Sequence, residues 1–267
     1  MRKTSENVRI ILLGSKGFLG SHLYSTLVRL GYPVICVDSN LASLESNYRN
    51  SRNYIGKTVV ISMAWSSNSS RRYLNSPENL VWALKHIEIA KFCLKEKILF
   101  VVPGTCLEYG ENERLEYVRS KVILRRFLEE NMPPNLYLWL RYFYVFSIAH
   151  RRPGLVRDAL EAKDESKPFI ISNIRGCHDY IEVRDAVAQT IELIKGLYSG
   201  VWDIGVGLTR SNLDLLSRIG DLEIVESCDF ENSNKPSIGW EGSAKKLILN
   251  HTQFTTHTNQ FFDTLLP

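Results

Sequence analysis

Nothing in the chain offers a metal or disulfide framework. Its five cysteines (Cys36, Cys93, Cys106, Cys177 and Cys228) are odd in number, widely spaced and form no C-x-x-C pair. Its six histidines are equally scattered, so zinc finds no ligand set at workable spacing. Long apolar runs are missing too. The run near the N-terminus is only Ile10–Leu13, too short for a secretory leader, and no stretch approaches the roughly 20 residues that span a bilayer. These absences predict a cytoplasmic protein with no membrane role. Charge of one sign is also scarce. The formal net charge is +4, and the basic pairs Arg71-Arg72, Arg125-Arg126, Arg151-Arg152 and Lys245-Lys246 have no interleaved aromatics. Nucleic acid is therefore not an expected partner.

What is present is an ordinary globular composition, with 44% hydrophobic residues in 267, enough for one large domain or two small joined ones. The first half alternates short apolar runs with helical patterns. Val8–Leu13 leads into a helix over about 18–30, and Val34–Asp38 follows. Then come Thr58–Trp65, a long helix over about 77–95, Ile98–Pro103, a helix near 118–130 and a strand within 136–143. Continuous apolar runs separated by helices predict an α/β fold: a Rossmann-type, doubly wound parallel sheet buried on both faces. Past Tyr144 the pattern weakens to a strand at 169–172, a helix near 183–197 and a strand at 201–205. The tail from Ser211 reads as irregular and ends in the amphipathic FFDTLL. Residues 1–147 with about 176–204 are expected to form a dinucleotide-binding domain. About 148–175 with 205–267 would form a small substrate-binding lobe.

Gly14-Ser15-Lys16-Gly17-Phe18-Leu19-Gly20 follows the first strand and opens the first helix, in the spacing G-x-x-G-x-x-G. Such a turn lets the backbone approach a pyrophosphate and presents helix N–H groups to it. Asp38 ends the second strand, with Ser39 beside it, where an acidic side chain accepts hydrogen bonds from adenosine ribose hydroxyls. Its charge opposes a 2′-phosphate and favours NAD. Lys16 could reach such a phosphate, so NADP stays open.

Tyr117-Val118-Arg119-Ser120-Lys121 is a Y-x-x-x-K at a helix start, placing both side chains on one face. An ammonium there favours phenolate and tunes the tyrosine for proton exchange near neutral pH. Thr105, at the end of the preceding strand, would place a hydroxyl beside a substrate oxygen.

In this order the motifs resemble the extended short-chain dehydrogenase/reductase family, of NAD-dependent epimerase/dehydratase type, over nearly the whole chain. GSKGFLG is similar to its glycine loop, and VVISMAW to the strand ending over the cofactor at Met63, Ala64 and Trp65. Asn79 matches a helix asparagine of the family. GTCLEYG and YVRSK resemble its catalytic elements. LRYFYV resembles the segment running over the nicotinamide (Phe143) into the sugar pocket (Tyr144), and CHDYIEVRDAV and VWDIGVG match two later elements. The resemblance implies Tyr117 as general acid/base, Lys121 holding the nicotinamide ribose, and Thr105 polarising a carbonyl. The substrate would be a nucleotide-diphosphate sugar, with Arg175 and Lys235 as candidate phosphate cations, although the family usually carries Arg where His178 stands. Trp240 is a further candidate for stacking on a base.

Dehydratases of the family carry an acid and a base directly after the catalytic hydroxyl. Here Cys106 and Leu107 occupy those places, which argues against water elimination and decarboxylation. Only about twenty residues separate Asp38 from the next strand, short by one strand–helix unit. A compact chain is similar in size to the nucleotide-sugar 4-keto reductases that finish deoxysugars, CDP-paratose synthase among them. The expectation is therefore a reductase, with a nucleotide-sugar 4-epimerase as the alternative and a non-catalytic dinucleotide sensor as a third reading. A homodimer is expected, built on the two long helices. Leu80, Leu84, Ile87, Ala90, Val122, Leu124 and Leu128 serve either that interface or the sheet.

Overall fold

A computed structural model describes residues 8–51, 53–65, 71–110, 114–149, 154–226 and 255–263. It divides into two compact units, 1–142 with 187–202, and 143–186 with 203–267. The first unit opens β1 (Val8–Leu13), α1 (Phe18–Arg29), β2 (Val34–Val37), α2 (Leu41–Asn50) and β3 (Lys57–Ser62). It continues α3 (Glu78–Glu96), β4 (Leu99–Thr105), α4 (Glu116–Asn131) and β5 (Tyr137–Tyr142). In the second half of the chain follow β6 (Tyr144–Phe146), α5 (Leu155–Asp164), β7 (Phe169–Ile171), β8 (Cys177–His178), β9 (Tyr180–Glu182), α6 (Val183–Lys195) and β10 (Gly200–Ile204). The last elements are β11 (Arg210–Ser211), α7 (Asn212–Ser217), β12 (Ile224–Glu226) and α8 (Thr256–Asp263).

The main sheet has the order β10-β5-β4-β3-β1-β2, and β1 through β5 pair in parallel. Every residue of β1 and β4 is buried, which is why their sequences run apolar without alternation. Ile11, Leu13, Val60, Phe100, Val102 and Trp139 form the core against Ala90, Leu124 and Leu128. Those three helix residues are fully buried, so they serve the sheet, whereas Leu80 and Leu84 remain 42% and 53% exposed. Among the described residues α2 alone lies between β2 and β3, so β2 is an outer edge of the sheet. This is the shortened connection that the spacing predicts.

In the second unit, β6 pairs with β9, β7 with β12 and β8 with β11. They surround a core of Phe146, Val156, Ile171, Leu215 and Phe262. The fully buried Asp179 accepts the backbone N–H groups of Val206 and Gly207, both at 2.8 Å. Here the sequence expectation falls short. The described residues just after Ser211 are not irregular: α7 starts on a capping box in which Ser211 Oγ accepts from Asp214 N and the Asp214 carboxylate accepts from Ser211 N. The S-x-x-D spacing carried that signal. Likewise α5 follows Gly154 with an Arg157–Glu161 pair at i, i+4. The first three residues of the tail piece, Phe261–Asp263, belong to α8, the rest lie outside the described residues, and no described helix is long and apolar enough to cross a membrane.

Candidate active site

The glycine loop interlocks with its surroundings through backbone. Gly14 adopts φ +78°, and a Cβ there would lie 2.6 Å from Ala64 N and 2.7 Å from Met63 C. Met63 N donates to Leu13 O at 2.9 Å, so the ends of β1 and β3 meet under the loop. A Cβ on Gly20 would lie 2.0 Å from Gly14 O. Gly17, by contrast, is exposed and has only Gly14 O, at 3.4 Å, within van der Waals range of such an atom. Gly17 caps α1 without a side-chain hydrogen bond, and the first turn holds no acidic residue. A helix start without an acidic side chain leaves its positive dipole end uncompensated by carboxylate. The loop therefore suits a dinucleotide pyrophosphate. Ser15, Phe18 and Leu19 are half-buried around it, and Lys16 is exposed.

Asp38 lies just past β2 with its side chain exposed, next to half-buried Ser39. Its N–H donates to Ser43 Oγ at 3.3 Å, and the N-cap Asn40 accepts Ser43 N at 2.8 Å. Asp38 is thereby held at the start of α2.

The catalytic candidates gather at the end of β4. Thr105 is 6% exposed, and its Oγ1 accepts Leu107 N at 3.3 Å. With that lone pair engaged, its hydroxyl proton remains available to a substrate oxygen. Tyr117 and Lys121 lie one turn apart near the start of α4. Tyr117 packs edge-on against Tyr73 (5.4 Å between ring centroids) and Trp65 (6.2 Å). Lys121 is 1% exposed and reaches back to β4, where Nζ donates to Pro103 O at 2.6 Å. The same ammonium sits 3.5 Å from the centroid of the Trp65 ring and 5.8 Å from that of Tyr117. Burial pulls the Lys121 pKa down to about 7, opposed by the negative charge of Glu108. His86 is pulled down to about 3 by burial and by Lys121, so it is neutral. Its Nδ1 faces the Trp82 carbonyl at 2.8 Å and therefore carries the proton, leaving Nε2 to accept from Ser62 Oγ at 2.8 Å.

Asn79, 2% exposed, has three partners. Its Nδ2 donates to Tyr73 O at 2.5 Å and Ser76 O at 3.0 Å, and its Oδ1 accepts Trp65 Nε1 at 2.9 Å. Asn79 thus pins the Trp65 indole over Lys121. The Trp65 indole covers the ammonium.

Within the second unit Phe143 is buried, with its N–H on Ile204 O at 3.0 Å. Tyr144 packs on His178 with ring centroids 4.2 Å apart. Arg175 is exposed, and its carbonyl accepts a weak bond from Cys177 Sγ at 3.3 Å. The expectations for Lys235 and Trp240 lie outside the described residues.

Two features escaped sequence reading. Tyr73, flanking Tyr117, lies in a short 3-10 turn with no periodic signal. Glu108 is a buried carboxylate whose partners Trp139, Arg125 and Arg141 lie 17 to 33 positions away in the chain. The T-x-x-E spacing from Thr105 announces its capping bond to Thr105 N, but no local spacing announces the three distant partners. Among the described residues no cluster of metal-ligating side chains occurs.

A model of the NAD dependent epimerase/dehydratase family matches residues 10–205 of the chain. Among known sequences, the CDP-abequose synthase of Salmonella muenchen is 22% identical over 229 residues, covering 77% of this chain and 76% of that protein. Among solved structures, the UDP-glucose 4-epimerase of Thermus thermophilus in complex with NAD aligns with a TM-score of 0.65 at 17% identity, covering 94% of this chain and 93% of that one. The UDP-glucose 4-epimerase of Thermotoga maritima with UDP-glucose gives 0.64 at 22% identity, covering 92% and 90%. At these identities the structural likeness establishes the fold, a Rossmann-type parallel sheet flanked by helices.

Proposed function

The chain belongs to the NAD dependent epimerase/dehydratase family, and from that premise we propose that it is a reductase of a nucleotide-linked 4-keto-deoxysugar. The observation that carries this reading is the buried Lys121 ammonium, one turn from Tyr117 and bonded to the strand that ends in Thr105. That is a proton-transfer site beside a dinucleotide loop. The identity of the next two residues favours reduction over dehydration. Cys106 and Leu107 are 3% and 8% exposed, and neither is an acid–base pair for removing water. Similarity to a protein named CDP-abequose synthase supports a CDP-linked deoxysugar as the substrate class. The 4-epimerase reading remains the second, supported by the two epimerase structures above.

When bound, the reduced nicotinamide supplies the hydride that reaches sugar C4. Thr105 donates a hydrogen bond to the C4 oxygen, keeping its own proton, and stabilises the charge developing there. Tyr117 gives that oxygen its phenolic proton, so the carbonyl leaves as an alcohol and the phenolate is reprotonated from solvent. Lys121 holds positive charge near the phenolate while it exists. The glycine loop and the first turn of α1 hold the pyrophosphate. Exposed Asp38 disfavours a 2′-phosphate, and NADH is the expected reductant. The exposed faces of Leu80, Val81 and Leu84 on α3 are consistent with a homodimer through that helix.

The test is nicotinamide absorbance on mixing the protein with CDP-, dTDP-, GDP- and UDP-linked 4-keto-6-deoxysugars, with NADH and NADPH separately. Stoichiometric oxidation of NADH with the CDP sugar is expected. No net oxidation with any of them, together with epimerisation of a UDP-hexose, would replace the reductase by the epimerase.

A further result is expected without any sugar. Lys121 can meet a ribose only if the indole above it shifts, because the ammonium is covered by Trp65 and already bonded to Pro103. Binding of NAD should therefore change the emission of Trp65, read as the signal lost in Trp65→Phe. An NAD-induced change of equal size in both proteins would show that the indole stays in place.

A further inference from the structure

Glu108 occupies a position the reaction scheme does not use, yet its surroundings are built around a negative charge. Its side chain is 2% exposed. Oε1 accepts the Thr105 backbone N–H at 3.0 Å and Trp139 Nε1 at 3.1 Å. Oε2 accepts Arg125 Nε at 3.0 Å and forms an ion pair, without a hydrogen bond, with Arg141 Nε at 3.5 Å. Three donors and the two guanidinium groups converge on this side chain, an arrangement that favours the ionised carboxylate. Room for the arrangement comes from Gly104: a Cβ there would lie 2.2 Å from Trp139 Nε1 and 2.8 Å from Glu108 Oε1. The cations are themselves fixed. Arg125 holds Glu129 through Nη1 at 2.8 Å to each oxygen, and Arg141 Nη1 donates to Tyr109 Oη at 2.6 Å. The end of β4, the turn after it, α4 and β5 therefore meet on this one side chain.

We propose that Glu108 is a positioning residue of the active site, whose buried carboxylate fixes the backbone of Thr105 and supplies the negative charge that keeps Lys121 an ammonium. The proposal rests on the reading of Thr105 and Lys121 as catalytic groups. The groups around Lys121 are Trp65 from the end of β3, His86 from α3, the Pro103 carbonyl of β4 and Tyr117 of its own helix, and Glu108 holds the same strand end, its Oε1 on Thr105 N two residues after the carbonyl that Lys121 Nζ bonds. Trp65 and Pro103 do not titrate in water, His86 is neutral, and Tyr117 carries its proton before transfer. The counter-charge in this set is thus Glu108. Burial opposes it by raising the Glu108 carboxyl above the usual carboxylate range, while Thr105 N–H, Arg125, Arg141 and Trp139 act to hold it down. The arginines are what allow a carboxylate to remain charged there.

Two variants separate charge from reach. Glu108→Gln keeps an oxygen for Thr105 N–H and Trp139 but removes the charge. Lys121, followed by NMR of side-chain-labelled lysine and assigned with Lys121→Met, should then lose its proton at a pH lower by on the order of one unit. The alkaline limb of kcat/KM should move to acid by the same amount. Glu108→Asp keeps the charge and shortens the arm. Lys121 should titrate as in the parent, while hydrogen exchange of the Thr105 amide speeds up and kcat falls by about tenfold. A folded Glu108→Gln protein with an unchanged Lys121 titration would overturn the charge role. A Glu108→Asp protein with parental Thr105 exchange would overturn the anchoring role, and it decides the matter if Glu108→Gln does not fold. The Lys121 titration and the Thr105 exchange need no sugar. If the parent oxidises no NADH with any keto-sugar, the proposed reaction fails while the role of Glu108 is still decided.

Discussion

Tyr117→Phe should lower kcat about a thousandfold, within the range of 10²–10⁴ that a positioned acid contributes, while NADH affinity changes by less than about threefold. The asymmetry follows from where the ring sits. Its edge contacts with Tyr73 and Trp65 involve ring carbons that phenylalanine keeps, so packing survives. What is lost is one oxygen and the proton it gives to the sugar. Stability should stay within about 0.5 kcal/mol, as for substitutions that leave packing intact. The check is steady-state NADH oxidation together with a direct binding titration. A variant retaining a tenth of parental kcat would remove Tyr117 from the proton-transfer step and leave the hydroxyl of Thr105 as the remaining candidate.

The second large effect concerns the glycine loop, where two neighbouring glycines should behave in opposite ways. Gly20→Ala gains helix propensity of about 1 kcal/mol. It also places a methyl 2.0 Å from Gly14 O and 2.8 Å from Gly14 C. Both are backbone atoms held under the strand ends, so they cannot rotate away. Overpacking of this kind costs about 3 kcal/mol or more when nothing can yield, and it outweighs the propensity gain. The expected net loss of about 2 kcal/mol or more corresponds to a drop in Tm of roughly 4–8 °C for a chain of this size. Gly17→Ala meets only Gly14 O at 3.4 Å, at a φ of −75° that any residue adopts. Its Tm should be unchanged, yet NADH should bind at least tenfold more weakly, because the methyl stands where the pyrophosphate approaches the helix end. Thermal melts with and without NADH separate the two. A destabilised Gly17→Ala, or a Gly20→Ala as stable as the parent, would contradict the interlocking described here.

How much of this was legible beforehand depends on the length scale of each feature. The strands from Val8 to Tyr142 could be read because a parallel strand buried on both faces is written as a continuous apolar run, and β1 and β4 are buried at every residue. The second half of the chain was harder, because β8 and β11 are two residues long and β6, β7, β9 and β12 three. No alternation can establish itself over so short a span. The helix at 212–217 was missed although its capping box was visible, because the run is too short to show periodicity.

The site divides in the same way. Gly14, Gly17 and Gly20, and the pair Tyr117 and Lys121, are related by spacings of three and four residues, and a spacing is a property of the chain itself. The sequence by itself determined the glycine turn between β1 and α1, the helix face shared by Tyr117 and Lys121, and the shortened connection that leaves β2 at the sheet edge. Only the tertiary structure decided that Trp65 covers the Lys121 ammonium, that Asn79 is engaged in holding the indole, and that Glu108 is buried among Arg125, Trp139 and Arg141. The physical reason is that burial and charge pairing act through space. A lysine reads as solvated until the fold removes its water, and a glutamate reads as surface until β4, α4 and β5 close around it.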